Sequence, residues 1–419
     1  MARFALVIRR RNPTLCYVHE GSKVSWNMSY SVFSRDLSDE FEYGLQQTSE
    51  YEFLNRCPRV EVEVVRSLIE EWFDRMPGEE KPRLLTSLRS HDDLEHVSAF
   101  FEIYCHELLL HNKMVVSMHA FGSDGRAKDF RADRDGTVIE MEAVLCTDPV
   151  SKRTDKAILN SVTDYIDINA FVPGFRYELD IRKRAKDIPP LKALTQQIRE
   201  WTEGFRRSEV RQLLEQSGYE TLPSRRFVSA DWVIDVRLIP RPLDDVEGGG
   251  QKRSIGVGPL QAAEIQNERA LWNTLKRKAR HYHDHPYPFV IAVDTMFDFP
   301  MRDDIDVLQA LIGTEVVAFN PTTRKTRMTR ARDGIWIGPK GPRNTHVSAV
   351  LVANQVRSSN VSRAGIRLFL NPWAARPLRP GLIEVPTALW DSTSGDRSDL
   401  PGKTPWGIFD LKEDWPYDA

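Results

Sequence analysis

The stretch that decides the fold is DFRADRDGTVIEMEAVL, residues 129–145. RDG is typical of a tight turn, so the residues on either side are predicted to form an antiparallel pair of strands. Side chains alternate along a strand, so Glu140 and Glu142 share one face of the second strand while the residues beside them face the core. The first strand presents Asp129 near the same level. We therefore expect three carboxylates close to one point.

Carboxylates packed this closely repel and raise one another's pKa unless a positive group lies between them. Mg²⁺ binds a few carboxylates together with water, and it can orient a water molecule and stabilise charge on a phosphate. The pattern predicts a site for Mg²⁺ or Mn²⁺ with Asp129, Glu140 and Glu142 as ligands. A second interpretation stays open, in which the two glutamates lie on an edge strand opposite Arg126 or Arg131 across the hairpin.

A helix is predicted upstream, from Ser90 to about Asn112, and it is apolar on nearly all sides and hence buried. Glu102 is expected to point inward, where a carboxylate needs a partner or a metal. Glu107 is the competing choice, but it lies beside His111 on a side expected to reach solvent. The histidines of HELLLH are five residues apart, which excludes the zinc-peptidase arrangement on one helix face.

The order of predicted elements around this stretch is helix, three strands, helix, strand. After the strand at 113–121 and the hairpin come a helix at 151–166 and a strand at 175–182. A right-handed crossover is expected to place that last strand parallel to 138–145. The predicted organisation is an N-terminal β/α region at 1–89 that begins with a strand at 2–10, a core at 90–300 with helical insertions, and a β-rich extension at 301–419.

This arrangement resembles the αβββαβ core of the PD-(D/E)xK nuclease superfamily over about residues 90–185. The resemblance implies an α/β fold with a mixed central sheet flanked by helices, and additions at both ends. It also implies that Asp129 and Glu140 hold the metal ion, with Glu142 at the position where the superfamily has lysine, an ExE variant. Lys128 stands where proline is common.

A second register keeps Asp129 but makes Glu142 the metal-binding acid and puts Val144 at the lysine position. A lysine from elsewhere must then reach the site. The candidates are Lys152 and Lys156 on the following helix and Lys128 on the neighbouring strand.

The composition limits the partners. The net charge is −2 and the pI is about 6.6, so the chain is not a uniform polycation, and any contact with nucleic acid must come from local patches. Basic segments at 181–186, 275–282 and 323–332 supply such patches. The nucleic-acid-binding candidates are Lys128, Arg131, Lys152, Lys156, Arg182, Lys276, Lys278, Arg324, Lys325 and Arg327.

The four cysteines form no CxxC pair, which argues against a zinc ribbon and a secreted disulfide framework. No apolar run is long enough to span a bilayer, and the chain start lacks the pattern of a signal peptide. We expect a cytoplasmic protein without membrane contacts, acting alone, as a homodimer or with a partner protein.

The sequence thus favours a metal-dependent endonuclease acting on DNA, and its resemblance implies a role in defence against foreign DNA. The alternative is a non-catalytic nucleic-acid-binding or regulatory protein on a degenerate nuclease fold, which explains the missing proline and lysine equally well.

Overall fold

The computed structural model describes residues 30–41, 48–121, 127–148, 150–185, 187–242, 253–257, 267–281, 286–297, 304–320, 324–391 and 397–418. The chain divides into two compact units: a larger one from residues 1–43, 49–148 and 266–419, and a smaller one from 44–48 and 149–265. The predicted strand at 2–10 lies outside the described residues. In the part of the chain that is described, no helix is both long and apolar enough to cross a membrane.

An eight-stranded mixed sheet forms the centre of the larger unit, in the order β1-β2-β3-β8-β13-β14-β15-β16, with elements numbered along the chain. Its strands are β1 (Val115–Phe121), β2 (Ala127–Arg134), β3 (Thr137–Thr147), β8 (Phe289–Met296), β13 (Val347–Asn354), β14 (Gly365–Leu370), β15 (Thr387–Trp390) and β16 (Arg397–Leu400). β3, β8 and β13 run parallel to one another, whereas β1, β2 and β3 form an antiparallel meander. The C-terminal strands therefore extend the same sheet.

The predicted tight turn joins β2 to β3. Arg134 pairs with Thr137, so the loop contains only Asp135 and Gly136. Both have positive φ, 54° and 78°, as a type I′ turn requires, and the Gly136 amide donates to Asp133 Oδ1 at 2.9 Å. This turn fixes the register of the strands that carry the predicted acids.

Helices cover both faces of the sheet. The described helices of this unit are α1 (Glu50–Arg56), α2 (Val60–Asp74), α3 (Lys81–Leu88), α4 (Asp93–His111), α8 (Asn267–His281), α9 (Ile305–Ile312) and α10 (Pro405–Ile408), with a 3₁₀ turn at Asp39–Phe41. On one face α4 packs with Met141, Val290 and Leu351, and on the other α8 and α9 pack with Ile291 and Val350. The mixed α/β sheet flanked by helices is confirmed.

The N-terminus of α4 lies slightly later than predicted. Its cap is Asp92, whose side chain accepts the Leu94 amide at 2.9 Å, while the Ser90 hydroxyl donates to Glu95 instead. The positive end of the helix dipole also stabilises a carboxylate at this position.

The smaller unit has its own sheet and core. Its elements are α5 (Val150–Asn169), β4 (Phe175–Lys183), α6 (Leu191–Glu203), α7 (Arg207–Ser217), a 3₁₀ turn (Tyr219–Thr221), β5 (Ser224–Ser229), β6 (Trp232–Pro240) and β7 (Ile255–Val257). The sheet order is β5-β6-β4-β7. Trp232, Tyr177 and Ile198 are fully buried in its core.

The predicted crossover is wrong in its last strand. The helix and the strand both form, but β4 pairs with β6 and β7 and not with β3. The parallel neighbour of β3 is β8, with Glu142 opposite Ile291. The hydrophobic periodicity of a segment predicts its local structure but not which distant strand becomes its neighbour. The sequence pattern therefore did not predict that a complete unit is inserted after β3.

Two further pairs of short strands lie in the described part of the larger unit. β9 (Glu315–Asn320) and β10 (Lys325–Arg330) form a two-stranded antiparallel ribbon, and β11 (Ile337–Gly338) pairs with β12 (Gly341–Pro342). The ribbon follows α9 directly along the chain.

Candidate metal centre

The strands β2 and β3 separate at the position of the predicted acids. Their paired residues run from the turn to Phe130 and Met141, and continuing that register by one residue puts Asp129 opposite Glu142. There the Ala143 amide donates to Asp129 Oδ2 at 2.8 Å. A side-chain carboxylate thus replaces a backbone carbonyl as the acceptor, and a fork opens between the two strands.

Asp129 is held in an environment that disfavours its charge. Burial is the largest cause that raises the pKa of Asp129 to about 7, and the negative charges of Glu142 and Glu102 raise it as well. The hydrogen bond from Ala143 and the charge of Lys278 act in the opposite direction. A carboxyl group with this pKa gives up its proton readily when a cation binds near neutral pH.

Glu142 is the second acid of the fork and is 4% exposed. Its Oε1 accepts a hydrogen bond from the Lys278 ammonium at 2.5 Å. Its Oε2 is buried and has no hydrogen-bond partner among the residues that the structure describes. Leaving a buried carboxylate oxygen without a hydrogen bond is costly, so this atom is the clearest candidate to bind a cation at the site.

Lys278 reaches the fork from α8. Leu271, Leu275 and Ala279 are buried and hold this helix against the sheet, and Lys278 lies beside that apolar stripe. Its side chain is only 23% exposed. The sequence predicts Lys278 as a contact to nucleic acid, and the structure places it next to Glu142 in the carboxylate cluster.

Glu140 is separated from this cluster by an ion pair. Its side chain is fully buried, and Oε1 accepts from Arg131 Nη2 at 2.8 Å. Arg131 is the residue directly opposite in the β2–β3 register and also lies over the ring of Tyr287. The second interpretation, a cross-hairpin pairing with arginine, is therefore observed at Glu140 through Arg131, whereas Arg126 lies outside the described residues.

Both candidate acids of α4 are largely shielded from solvent, and each pairs with an arginine. Glu107 is fully buried and pairs with Arg75 at 2.8 Å, so the expectation that it faces solvent is wrong. Glu102 is 13% exposed and is paired with Arg83, whose Nη1 lies 3.1 Å from Oε2. It is nonetheless the α4 acid whose charge acts on Asp129. The sequence of α4 itself could not predict these pairs, because Arg75 and Arg83 both lie outside this helix.

The remaining predicted contacts to nucleic acid are dispersed. Lys128 is 1% exposed and belongs to the core side of β2, while Arg182 pairs with Asp180 and Asp235 in the smaller unit. Lys276 lies 4.1 Å from the ring centroid of Trp272, and Arg324 is exposed. The side chains of Lys152, Lys156, Lys325 and Arg327 fall outside the described residues.

The donor set fits a hard divalent cation. Among the described residues, no group of three or more His, Cys, Asp or Glu side chains surrounds one point. Mg²⁺ commonly uses only one or two protein carboxylates and completes its octahedron with water and substrate oxygens. Asp129 and the unpartnered Oε2 of Glu142 would supply that minimum, and Lys278 would lie beside them.

Comparisons with family models, with curated proteins and with solved structures give no match for this chain. The assignment of a function therefore depends on the geometry of the fork.

Proposed function

We propose that this protein is a divalent-metal-dependent nuclease that hydrolyses phosphodiester bonds in DNA, on a core of the PD-(D/E)xK type. The order of elements supports the proposal: α4, β1, β2, β3, α8 and β8 follow one another as αβββαβ once the smaller unit is treated as an insertion between β3 and α8. The parallel pairing of β3 with β8 completes that order.

The observation that carries the proposal is the convergence of Asp129, Glu142 and Lys278 where β2 and β3 diverge. Two acids and a lysine correspond to the second register, with the lysine supplied by α8. Structural ion pairs are usually complete. Here one buried oxygen of Glu142 has no hydrogen-bond partner in the described part of the chain, and the pKa of Asp129 is raised to about 7. Both features are expected at a site that is completed by a cation.

Bound Mg²⁺ or Mn²⁺ would supply Lewis acidity for the scissile phosphate and would lower the pKa of a coordinated water. Asp129 and Glu142 would hold the ion, and Asp129 would release its proton in doing so. Lys278 would turn its ammonium from Glu142 toward the attacking water or the phosphate oxygens. Arg131 neutralises Glu140, so Glu140 would stabilise the pairing of β2 with β3 and would not serve as a metal ligand.

The test is cleavage of supercoiled plasmid, linear duplex and single-stranded DNA in Mg²⁺ or Mn²⁺, with a chelator control. Asp129→Asn, Glu142→Gln and Lys278→Met should each reduce cleavage by a factor of about a hundred or more. Asp74→Asn is the matched control, because Asp74 is 69% exposed and pairs with Lys81 on the surface. Cleavage that survives Asp129→Asn would refute the site.

A second function is favoured by one specific observation. Each of three glutamates pairs with a cationic side chain: Glu140, Glu142 and Glu102. Such neutralised acids are expected in a fork that has lost its catalytic role. In that case the protein binds nucleic acid or regulates a partner without cutting. Binding of DNA without cleavage in either metal, together with no change in melting temperature on metal addition, would support this alternative.

A further inference from the structure

The ribbon formed by β9 and β10 carries exposed side chains on both of its faces, in the part whose side chains are described. Within the part of the chain that the structure describes, it pairs with no third strand. Val316 and Val317 are neighbours in β9 and so point to opposite faces, yet they are 39% and 61% exposed. Two-stranded hairpins are marginally stable alone in water, so a ribbon of this kind is stabilised when something packs against it.

The base of the ribbon is fixed rigidly. The Thr314 amide donates to Asp333 Oδ1 at 2.8 Å, the Ala331 amide donates to the Thr314 carbonyl at 2.8 Å, and Arg330 donates to the Gly313 carbonyl at 2.9 Å. Gly313 itself has a φ of 104° and meets the Ala331 carbonyl where a Cβ would lie, so no other residue fits this position. The ribbon therefore leaves the unit in a defined direction.

The same base is bonded to the helix that carries Lys278. Trp272 of α8 donates its indole N–H to the Asp333 carbonyl at 3.1 Å. Six residues separate Trp272 from Lys278, which is about 9 Å along a helix. The ribbon is thus anchored close to the candidate metal centre by side-chain and backbone contacts of described residues.

The charge and size of the ribbon point to its partner. Residues 324–330, RKTRMTR, contain four basic residues, and β9 contributes one acid, Glu315. Six residues per strand give a length of about 20 Å. The major groove of a DNA duplex, about 12 Å wide, admits a two-stranded β-ribbon, whereas a single strand offers no groove.

We propose that the β9–β10 ribbon inserts into a groove of duplex nucleic acid and holds it against the fork of Asp129, Glu142 and Lys278. The inference deepens the proposed function and rests on it for the role of the fork, because it makes a duplex the substrate. Binding itself does not require cleavage.

The test measures binding of a labelled duplex and of a single strand of the same sequence by fluorescence anisotropy, in chelator so that neither is cut. The triple variant Arg324→Ala, Lys325→Ala, Arg327→Ala should weaken duplex binding by about tenfold or more and lower the salt-dependence slope by about 2 to 3. Single-strand binding should change by much less. A variant that keeps the charge, Arg324→Lys with Arg327→Lys, should retain most duplex affinity.

The matched control removes three exposed charges from the smaller unit: Lys192→Ala, Arg199→Ala, Arg211→Ala. An equal loss in this control, an equal loss on both substrates, or no loss in the ribbon variant would each overturn the ribbon proposal. Circular dichroism and thermal melting verify that the variants are folded.

Measuring binding in chelator separates the two proposals. The anisotropy assay requires neither metal nor cleavage, so a failure of the nuclease proposal leaves the ribbon result readable. Formation of a dimer through the ribbon, detected as a mass change between wild type and the triple variant without DNA, would assign the ribbon to self-association and refute the groove proposal.

Discussion

Replacing Asp129 by asparagine removes a charge from the fork and keeps the side-chain oxygen that accepts the Ala143 amide at 2.8 Å. In the metal-free protein the charged carboxylate is unfavourable, because it is buried and lies near the charges of Glu142 and Glu102. We therefore expect Asp129→Asn to increase the free energy of unfolding in chelator while it abolishes cleavage. Loss of function with a gain of stability is typical of a site that stores electrostatic strain.

The sign and size follow from the pKa of Asp129, about 7 in the folded protein against an ordinary 3.8. Between these two values the folded state keeps the proton and the unfolded state does not, so stability falls as the pH rises through that window. Each pKa unit corresponds to about 1.4 kcal/mol, so the full effect is about 4 kcal/mol, of which about 2 to 3 kcal/mol develops between pH 5 and pH 8. The advantage of the asparagine variant should grow by that amount over this range.

The assay is urea unfolding at pH 5 and pH 8 in chelator, followed by tryptophan fluorescence and circular dichroism. Asp294→Asn is the matched control, because burial also raises the pKa of Asp294 to about 7. Both variants should gain stability at pH 8, but only Asp129→Asn should lose the rise in melting temperature on Mg²⁺ addition. An Asp129→Asn protein no more stable than wild type at pH 8, or equally favoured at both pH values, would refute the reasoning.

Three further predictions follow from the ion pairs and thiols. Lys278→Met leaves Glu142 buried without its cation and should lower the free energy of unfolding in chelator by about 3 kcal/mol. Adding Glu142→Gln should recover much of this loss, and urea unfolding of the single and double variants measures both effects. Arg131→Met should destabilise by a similar amount because Glu140 is 0% exposed, whereas Arg35→Met, at a pair exposed by 44% on each side, should change unfolding by less than about 1 kcal/mol. Equal effects of the two arginine variants would contradict this. Cys105 and Cys146 are buried, and burial raises the pKa of both thiols, to about 11 for Cys146. Neither should therefore react with a thiol reagent at pH 8 before the protein unfolds. Rapid labelling of either cysteine, located by mass spectrometry, would contradict their burial.

Local chemistry made the β2–β3 hairpin predictable. Asp135 and Gly136 match the only common two-residue turn with positive φ at both positions, and alternation then places the acids by counting. The same counting identified Arg131 as a partner for a strand glutamate, although it did not show which one. These inferences involve residues fewer than twenty positions apart.

The partners of Glu142 and Glu102 lie beyond that range or on another face. Lys278 is 136 residues from Glu142 in sequence, and only the packing of α8 on the sheet brings the two together. An amphipathic reading of α8 could have placed Lys278 at the border of its apolar stripe, which is the one local signal available. Arg83 reaches Glu102 from α3, and no pattern within α4 could have indicated that.

The insertion between β3 and α8 has a consequence during synthesis. The ribosome releases Asp129 and Glu142 well before Lys278, and the 136 residues between Glu142 and Lys278 take about 7 to 27 seconds to translate at typical rates. Nascent chains therefore carry the two acids in the absence of the ammonium group and of β8. The cluster of Asp129, Glu142 and Lys278 cannot assemble on a partly made polypeptide, and under the proposed nuclease function unfinished copies would not cut DNA.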